Sequence, residues 1–287
     1  MPAQHPRHPL MREGRAITDT PRQAAFLPAE SMHTLSYGPR PDQVGDLYLP
    51  EIHSAPLVCL FHGGFWRLPY GREELAPLAA DLREKGFAVW NLEYHRVGSG
   101  IPGWPTTFQD IDALLAFLPA LQLRYPVIDL QRTVFVGHSA GGHLAFWAAS
   151  RLGLPSLPYS AAAVIGLAPL LDLVAAQASG LGNNAVEGFL DGSFVAVPDR
   201  YRLASPRALL PLHVRQYVLH GEADTVVPPE HSRDYVDAAR RAGDDVTLLI
   251  LPGTDHMAFV DPASPAHEAL CRCLAAASPL PSRRIRC

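Results

Sequence analysis

The stretch Thr133-Val134-Phe135-Val136-Gly137-His138-Ser139-Ala140-Gly141, followed directly by the helix-like run Gly142 to Arg151, decides how this chain is read. Its first four residues, β-branched and aromatic, have the character of a buried strand. The five that follow carry the pattern Gly-x-Ser-x-Gly at a strand-to-helix junction, the context of a nucleophile elbow. Glycine at both ends lets the chain turn tightly and approach neighbouring backbone. The serine then stands out from the turn, and the N-terminus of the following helix points at the reacting centre. The pentapeptide alone occurs by chance; its place between strand and helix gives it meaning.

A serine hydroxyl is a weak nucleophile at neutral pH. A base must take its proton, and a carboxylate fixes the tautomer of that base. Downstream of Ser139, the strand-like Tyr217 to Leu219 runs into a loop containing Asp224, and Val246 to Leu251 runs into a loop containing His256. Loops beyond strand ends are where open parallel sheets meet their ligands, so Ser139, Asp224 and His256 are the expected nucleophile, acid and base. Asp172, which follows the strand-like run ending at Ala168, is the rival acid. His138, His143, His220 and His231 lie close enough to these motifs to compete as base, although His138 and His143 belong to the elbow and its helix. Upstream, Leu57 to Phe61 runs into His62-Gly63-Gly64-Phe65-Trp66. Adjacent glycines after a strand let backbone N–H groups converge on a developing oxyanion; the expected donors are the amides of Gly64, Phe65 and Ala140. Trp66 and Trp104 are candidates to line the substrate pocket, with Phe189 and Phe194 as further aromatics.

The remaining text fits this frame. Short apolar runs at Leu57–Phe61, Phe87–Trp90, Thr133–Val136, Ala162–Ala168, Tyr217–Leu219 and Val246–Leu251 alternate with helix-like stretches at Glu73–Lys85, Phe108–Leu118, Gly142–Arg151, Pro229–Ala242 and Pro265–Ala277. Such alternation predicts an α/β fold, a mostly parallel twisted sheet with helices on both faces. His33–Tyr37 and Val44–Leu49, around the turn Gly38-Pro39-Arg40-Pro41-Asp42, predict an antiparallel hairpin at one sheet edge. Residues 1 to 28 read as a poorly ordered leader, and 29 to 287 as one domain with a cap-like insertion over about 169 to 215.

The elbow, the His-Gly-Gly loop and the Asp-then-His order resemble the α/β-hydrolase superfamily over about residues 31 to 278. Within it, His62-Gly63-Gly64-Phe65-Trp66 and Gly137 to Leu144 look like the kynurenine formamidase and small esterase branch. The same features also resemble the catalytic domain of prolyl-oligopeptidase-type peptidases. The resemblance implies hydrolysis of a small ester or aryl-formamide through an acyl-enzyme, without a cofactor. It also implies that Glu93 and Arg96, in Asn91-Leu92-Glu93-Tyr94-His95-Arg96, brace loops near the site; a buried ion pair without a catalytic role is the preferred reading of the two residues.

Composition narrows the partners. The chain of 287 residues is 48% hydrophobic and 18% charged, with formal net charge −4 and no long block of one sign. Neither nucleic acid nor an anionic membrane is an expected partner. No apolar h-region opens the chain and no run is long enough to span a bilayer, so the sequence-based expectation is a cytoplasmic protein. The four cysteines (59, 271, 273 and 287) make no metal-binding pattern, and Cys271-x-Cys273 reads as packing. The expected partner is a small-molecule ester or amide, with a homodimer left open. A short-peptide hydrolase is the alternative activity, and a binding protein on the same fold is the alternative class.

Overall fold

The computed structural model describes residues 32–152 and 159–280. The leader expected over 1–28 and the basic run Arg283 to Arg286 lie outside the described residues. Eight strands form one sheet in the order β1-β2-β4-β3-β5-β6-β7-β8. These are β1 (Met32–Ser36), β2 (Val44–Tyr48), β3 (Ala55–Phe61), β4 (Ala88–Leu92), β5 (Ile128–His138), β6 (Ala161–Leu167), β7 (Gln216–Gly221) and β8 (Val246–Leu251). The hairpin β1–β2 is antiparallel and joins β4 antiparallel, while every pair from β4 through β8 is parallel.

The unbroken apolar runs in the sequence have a direct cause. In β3 every residue is buried, with Leu57, Cys59 and Phe61 entering the core on one face and Val58 and Leu60 the core on the other. A strand covered on both faces cannot alternate apolar with polar. On the first face lie α2 (Thr106–Arg124), α3 (Ala140–Ser150) and α7 (Glu230–Ala242), contributing among others Ile111, Leu144 and Tyr235. On the second lie α1 (Ala76–Glu84) and α8 (Pro265–Ala277), contributing Leu78, Leu82, Leu270 and Leu274.

Two elements differ from the sequence-based expectation. Helix α2 continues past Leu118 through Pro119 to Arg124. Proline removes the N–H that would bond the carbonyl four residues back; here the Leu115 carbonyl accepts instead from the Tyr159 hydroxyl at 2.7 Å, and Leu118 and Leu121 are buried on either side of the break. The excursion between β6 and β7 holds three short helices, α4 (Leu173–Ala178), α5 (Leu181–Leu190) and α6 (Pro198–Ala204).

Candidate active site

Ser139 occupies the turn between β5 and α3 with φ 55° and ψ −119°, a conformation that is costly for a residue with a Cβ and persists where surroundings enforce it. The surroundings do so here. The Ser139 amide donates to the Leu167 carbonyl at 2.8 Å. A Cβ on Gly137 would lie 2.1 Å from the Gly141 carbonyl oxygen, and one on Gly141 would lie 2.1 Å from that of Phe61. Only glycine lets the elbow press against the end of β3. Ser139 is almost fully buried, and its hydroxyl makes no hydrogen bond among the described residues.

The loops after β7 and β8 bring the expected acid and base together. Asp224 Oδ2 accepts from His256 Nδ1 at 2.6 Å, while Oδ1 accepts from the amides of Val226 and Val227, each at 2.9 Å. His220 Nε2 lies 3.2 Å from the same Oδ2 and donates to the Val227 carbonyl at 2.8 Å, with the Ser232 hydroxyl at 2.7 Å on its other nitrogen. Burial raises the Asp224 carboxyl, but the hydrogen bonds from His220, His256 and Val227 outweigh it and hold the group well below the usual carboxylate range. Because Nδ1 of His256 carries the proton given to Asp224, its Nε2 keeps a lone pair, the tautomer a general base needs.

The His256 loop is tied to the elbow. His138 Nε2 donates to the His256 carbonyl at 3.0 Å, and the two rings lie 4.7 Å apart. Burial, then the neighbouring His256 charge, lowers His138 to about 3, so its ring stays neutral with the donor proton on Nε2.

The His-Gly-Gly loop passes beside the serine: a Cβ on Gly63 would lie 3.4 Å from that of Ser139. His62 Nε2 donates to Glu93 Oε1 at 2.8 Å, and its Nδ1 lies 2.8 Å from the Gly63 carbonyl oxygen. The Gly63 carbonyl faces the His62 ring, and a trans peptide points its N–H opposite to its carbonyl, so the Gly64 amide points away from that ring. Gly64, Phe65 and Trp66 all have positive φ. The amides of Gly64 and Phe65 have no acceptor among the described residues, and that of Ala140, first in α3, has none within its helix. Burial raises the Glu93 carboxyl, yet the hydrogen bond and charge of His62, with Arg96 at 3.2 Å, bring it below its ordinary value. Glu93 and Arg96 thus form the expected ion pair, and through the hydrogen bond from His62 to Glu93 that pair also braces the loop.

The aromatic candidates separate. Trp66 has no exposed surface; its indole N–H donates to His143 Nδ1 at 3.2 Å and its ring stacks on Phe189 at 4.5 Å. This corrects the expectation that it lines a pocket: the ring is enclosed in the core against His143 and Phe189. Trp104 does line a cavity of about 330 Å³ with Phe108, Trp147, Arg151, Leu203 and Leu209, but the lining includes none of Ser139, Asp224 and His256. Phe189 is likewise buried. Asp172 caps α4, accepting from the amides of Val174 and Ala175 at 3.1 Å, and pairs with Arg207; it is not beside His256.

A contact missed in the sequence joins the excursion between β6 and β7 to this loop. Arg67 donates from Nη1 to the Gly182 carbonyl at 2.8 Å and from Nη2 to that of Asn183 at 3.2 Å. Gly182, Asn183 and Asn184 are all left-handed, and a Cβ on Gly182 would lie 2.5 Å from the Phe65 ring. The only sequence signal was an arginine directly after His62 to Trp66.

Sheet order, elbow and strand-end loops together define the α/β-hydrolase fold. The chain belongs to the BD-FAE family, whose model matches residues 45–238. Esterase LipQ of Mycobacterium tuberculosis is 29% identical over 216 residues, covering 70% of this chain and 50% of LipQ. A kynurenine formamidase of Danio rerio is 30% identical over 125 residues, 40% of this chain and 38% of that protein. The chain therefore spans half or less of the length of these two curated relatives. The solved structure of a truncated carbohydrate esterase from gut microbiota shares the fold, with TM-score 0.73 and 22% identity over 87% of this chain and 98% of that one. Among the described residues no helix is long and apolar enough to cross a membrane.

Proposed function

We propose that this chain is a serine hydrolase of small carboxylic esters, working through an acyl-enzyme. The observation that carries the reading is the His256 Nδ1 to Asp224 Oδ2 hydrogen bond of 2.6 Å on a loop tied to the Ser139 elbow through His138. Ser139 Oγ attacks the acyl carbon as His256 Nε2 takes its proton. The amides of Gly64, Phe65 and Ala140 receive the negative charge on the former carbonyl oxygen. His256 then returns the proton to the leaving alcohol or amine, and water repeats the sequence on the acyl-enzyme. Hydrogen bonds of this kind are often long before substrate binds, so an unengaged Ser139 hydroxyl is compatible with the role. The same groups serve an aryl-formamide, and the match to a kynurenine formamidase supports N-formylkynurenine as a substrate to include beside simple esters.

The test is a panel of p-nitrophenyl esters of increasing length, N-formylkynurenine and aminoacyl anilides, run on the wild type and on Ser139→Ala. Wild type should turn over esters, and the variant should lose roughly 10⁴-fold or more in kcat. A fluorophosphonate should label Ser139 in the wild type. A variant retaining a tenth of the activity removes Ser139 from the role, and turnover of the anilides alone replaces the esterase reading with the peptidase one.

A further inference from the structure

The second face of the sheet carries a cluster that the hydrolytic site does not use. Helices α1 and α8 lie on that face, and at their contact three different ligating side chains converge. His267 Nε2 is 2.5 Å from Asp81 Oδ2, and Cys271 Sγ is 3.4 Å from the same Nε2. The imidazole nitrogen, thiol sulfur and carboxylate oxygen all lie within 4.8 Å of one another. His267 and Cys271 are four apart on one helix and so share a face; Asp81 comes from the other helix, which is why no spacing in the sequence announced the group.

As it stands, the Nε2 proton is given to Asp81 Oδ2, with the thiol sulfur as a weak second partner of the same N–H. Nδ1 of the same ring is buried with no partner among the described residues, so the ring is oriented by what gathers at Nε2. A cation at the shared point satisfies nitrogen, sulfur and oxygen together.

We propose that Asp81, His267 and Cys271 form a binding site for a borderline-soft divalent cation, zinc above all, that clamps α1 to α8. Mixed S, N and O donors are the set such an ion takes. With zinc–sulfur near 2.3 Å and zinc–nitrogen near 2.0 Å, a tetrahedral edge between them is about 3.5 Å, close to the 3.4 Å present. The Asp81 carboxylate, half-buried at the surface, swings back slightly to complete a third corner, and solvent supplies the fourth. Lys85 Nζ sits 3.0 Å from the other oxygen, Oδ1, leaving Oδ2 for the ion and placing a positive charge near the sulfur. On binding, the Cys271 thiol releases its proton to solvent and the imidazole proton moves to Nδ1, so each ligand presents a lone pair. The two helices follow the His62–Trp66 loop and the His256 loop in the chain, so the ion ties together elements downstream of both loops while using none of Ser139, Asp224 and His256.

Cobalt(II) titration of the full chain tests this, because a thiolate ligand gives a charge-transfer absorption that oxygen and nitrogen ligands do not. The wild type should develop that band at one ion per chain, and zinc should abolish it. Cys271→Ser and His267→Gln should lose the band while keeping the wild-type far-UV circular dichroism, whereas Cys273→Ser and Cys287→Ser should keep it. Zinc should raise the melting temperature of the wild type and not of Cys271→Ser. Absence of the band in the wild type, its persistence in Cys271→Ser, or its loss in Cys287→Ser overturns the site. None of these readouts requires turnover, so they stand apart from the hydrolase reading.

Discussion

Asp224 and Asp172 show how the same residue type, each placed after a strand, is committed to different work by its hydrogen bonds. Asp172 is occupied by two amides of its own helix and by Arg207. Asp224 spends one oxygen on its own turn and gives the other to His256 and His220. Asp224→Asn presents an amide N–H or a neutral oxygen to His256 and favours the wrong tautomer, so kcat should fall by about 10⁴. Asp172→Asn keeps a good helix cap and loses only a partly exposed ion pair, so activity should stay near wild type and stability within about 1 kcal/mol. Steady-state kinetics and urea melts of the two variants decide it; the opposite ranking in kcat would move the acid to Asp172. Both candidates and their order were readable from the strand ends. What was not readable was the role of His138 and His220, because a histidine inside a motif looks the same in sequence whether it is base, donor or core.

The His62–Trp66 loop and the Gly182–Asn184 turn are each held in left-handed backbone, and each is the other's support. Arg67 bonds two carbonyls of the turn and the Phe65 ring fills the space where Gly182 lacks a side chain. Arg67→Met should therefore loosen the loop that presents the Gly64 and Phe65 amides. Oxyanion contacts strengthen in the transition state, so kcat should drop roughly ten- to a hundredfold with KM little changed. A rise in KM at constant kcat would show instead that the turn serves substrate binding. The elbow has less tolerance: Gly141→Ala puts a Cβ against two backbone carbonyl oxygens, that of Phe61 at the end of β3 at 2.1 Å and that of His62 at 2.3 Å. Backbone cannot give way cheaply there, and a loss of at least about 1–3 kcal/mol in a urea melt is expected. The sequence disclosed the loop and the elbow because glycine clusters after strands are local signals. It did not disclose the latch: Gly182-Asn183-Asn184 are residue types that tolerate left-handed backbone, but Arg67 is far away in the chain and no local pattern pairs it with that turn.

Packing helices on both faces of one sheet leaves polar rings deep inside the protein, and this sets its response to acid. Strand-helix alternation made the two-faced sheet legible from apolar runs alone, but not which histidines the core would enclose. His138 and His143 are buried, and burial lowers them to about 3 and about 4 respectively. His143 Nε2 donates to the Ala204 carbonyl at 3.0 Å while Nδ1 accepts from Trp66, so protonation of Nδ1 breaks a core contact. In the unfolded chain both rings take up a proton near the reference value of about 6.5. Between that value and the folded values the unfolded state binds more protons, so stability rises with pH across the window and falls as acid is added. Each histidine contributes a slope of up to about 1.4 kcal/mol per pH unit there. Asp224 acts in a lower window. Its carboxyl is held down in the fold, so its contribution is present above the unfolded value near 3.9 and is lost only as pH falls below that. Urea melts at pH 7, 5.5 and 4.5 should thus show a steady decline in the wild type and a shallower one in His143→Gln, whose amide can keep a neutral hydrogen bond. A wild-type profile flat from pH 7 to 4.5 would mean that these rings take up protons in the folded protein as readily as in the unfolded chain, and would remove burial as the source of the acid response.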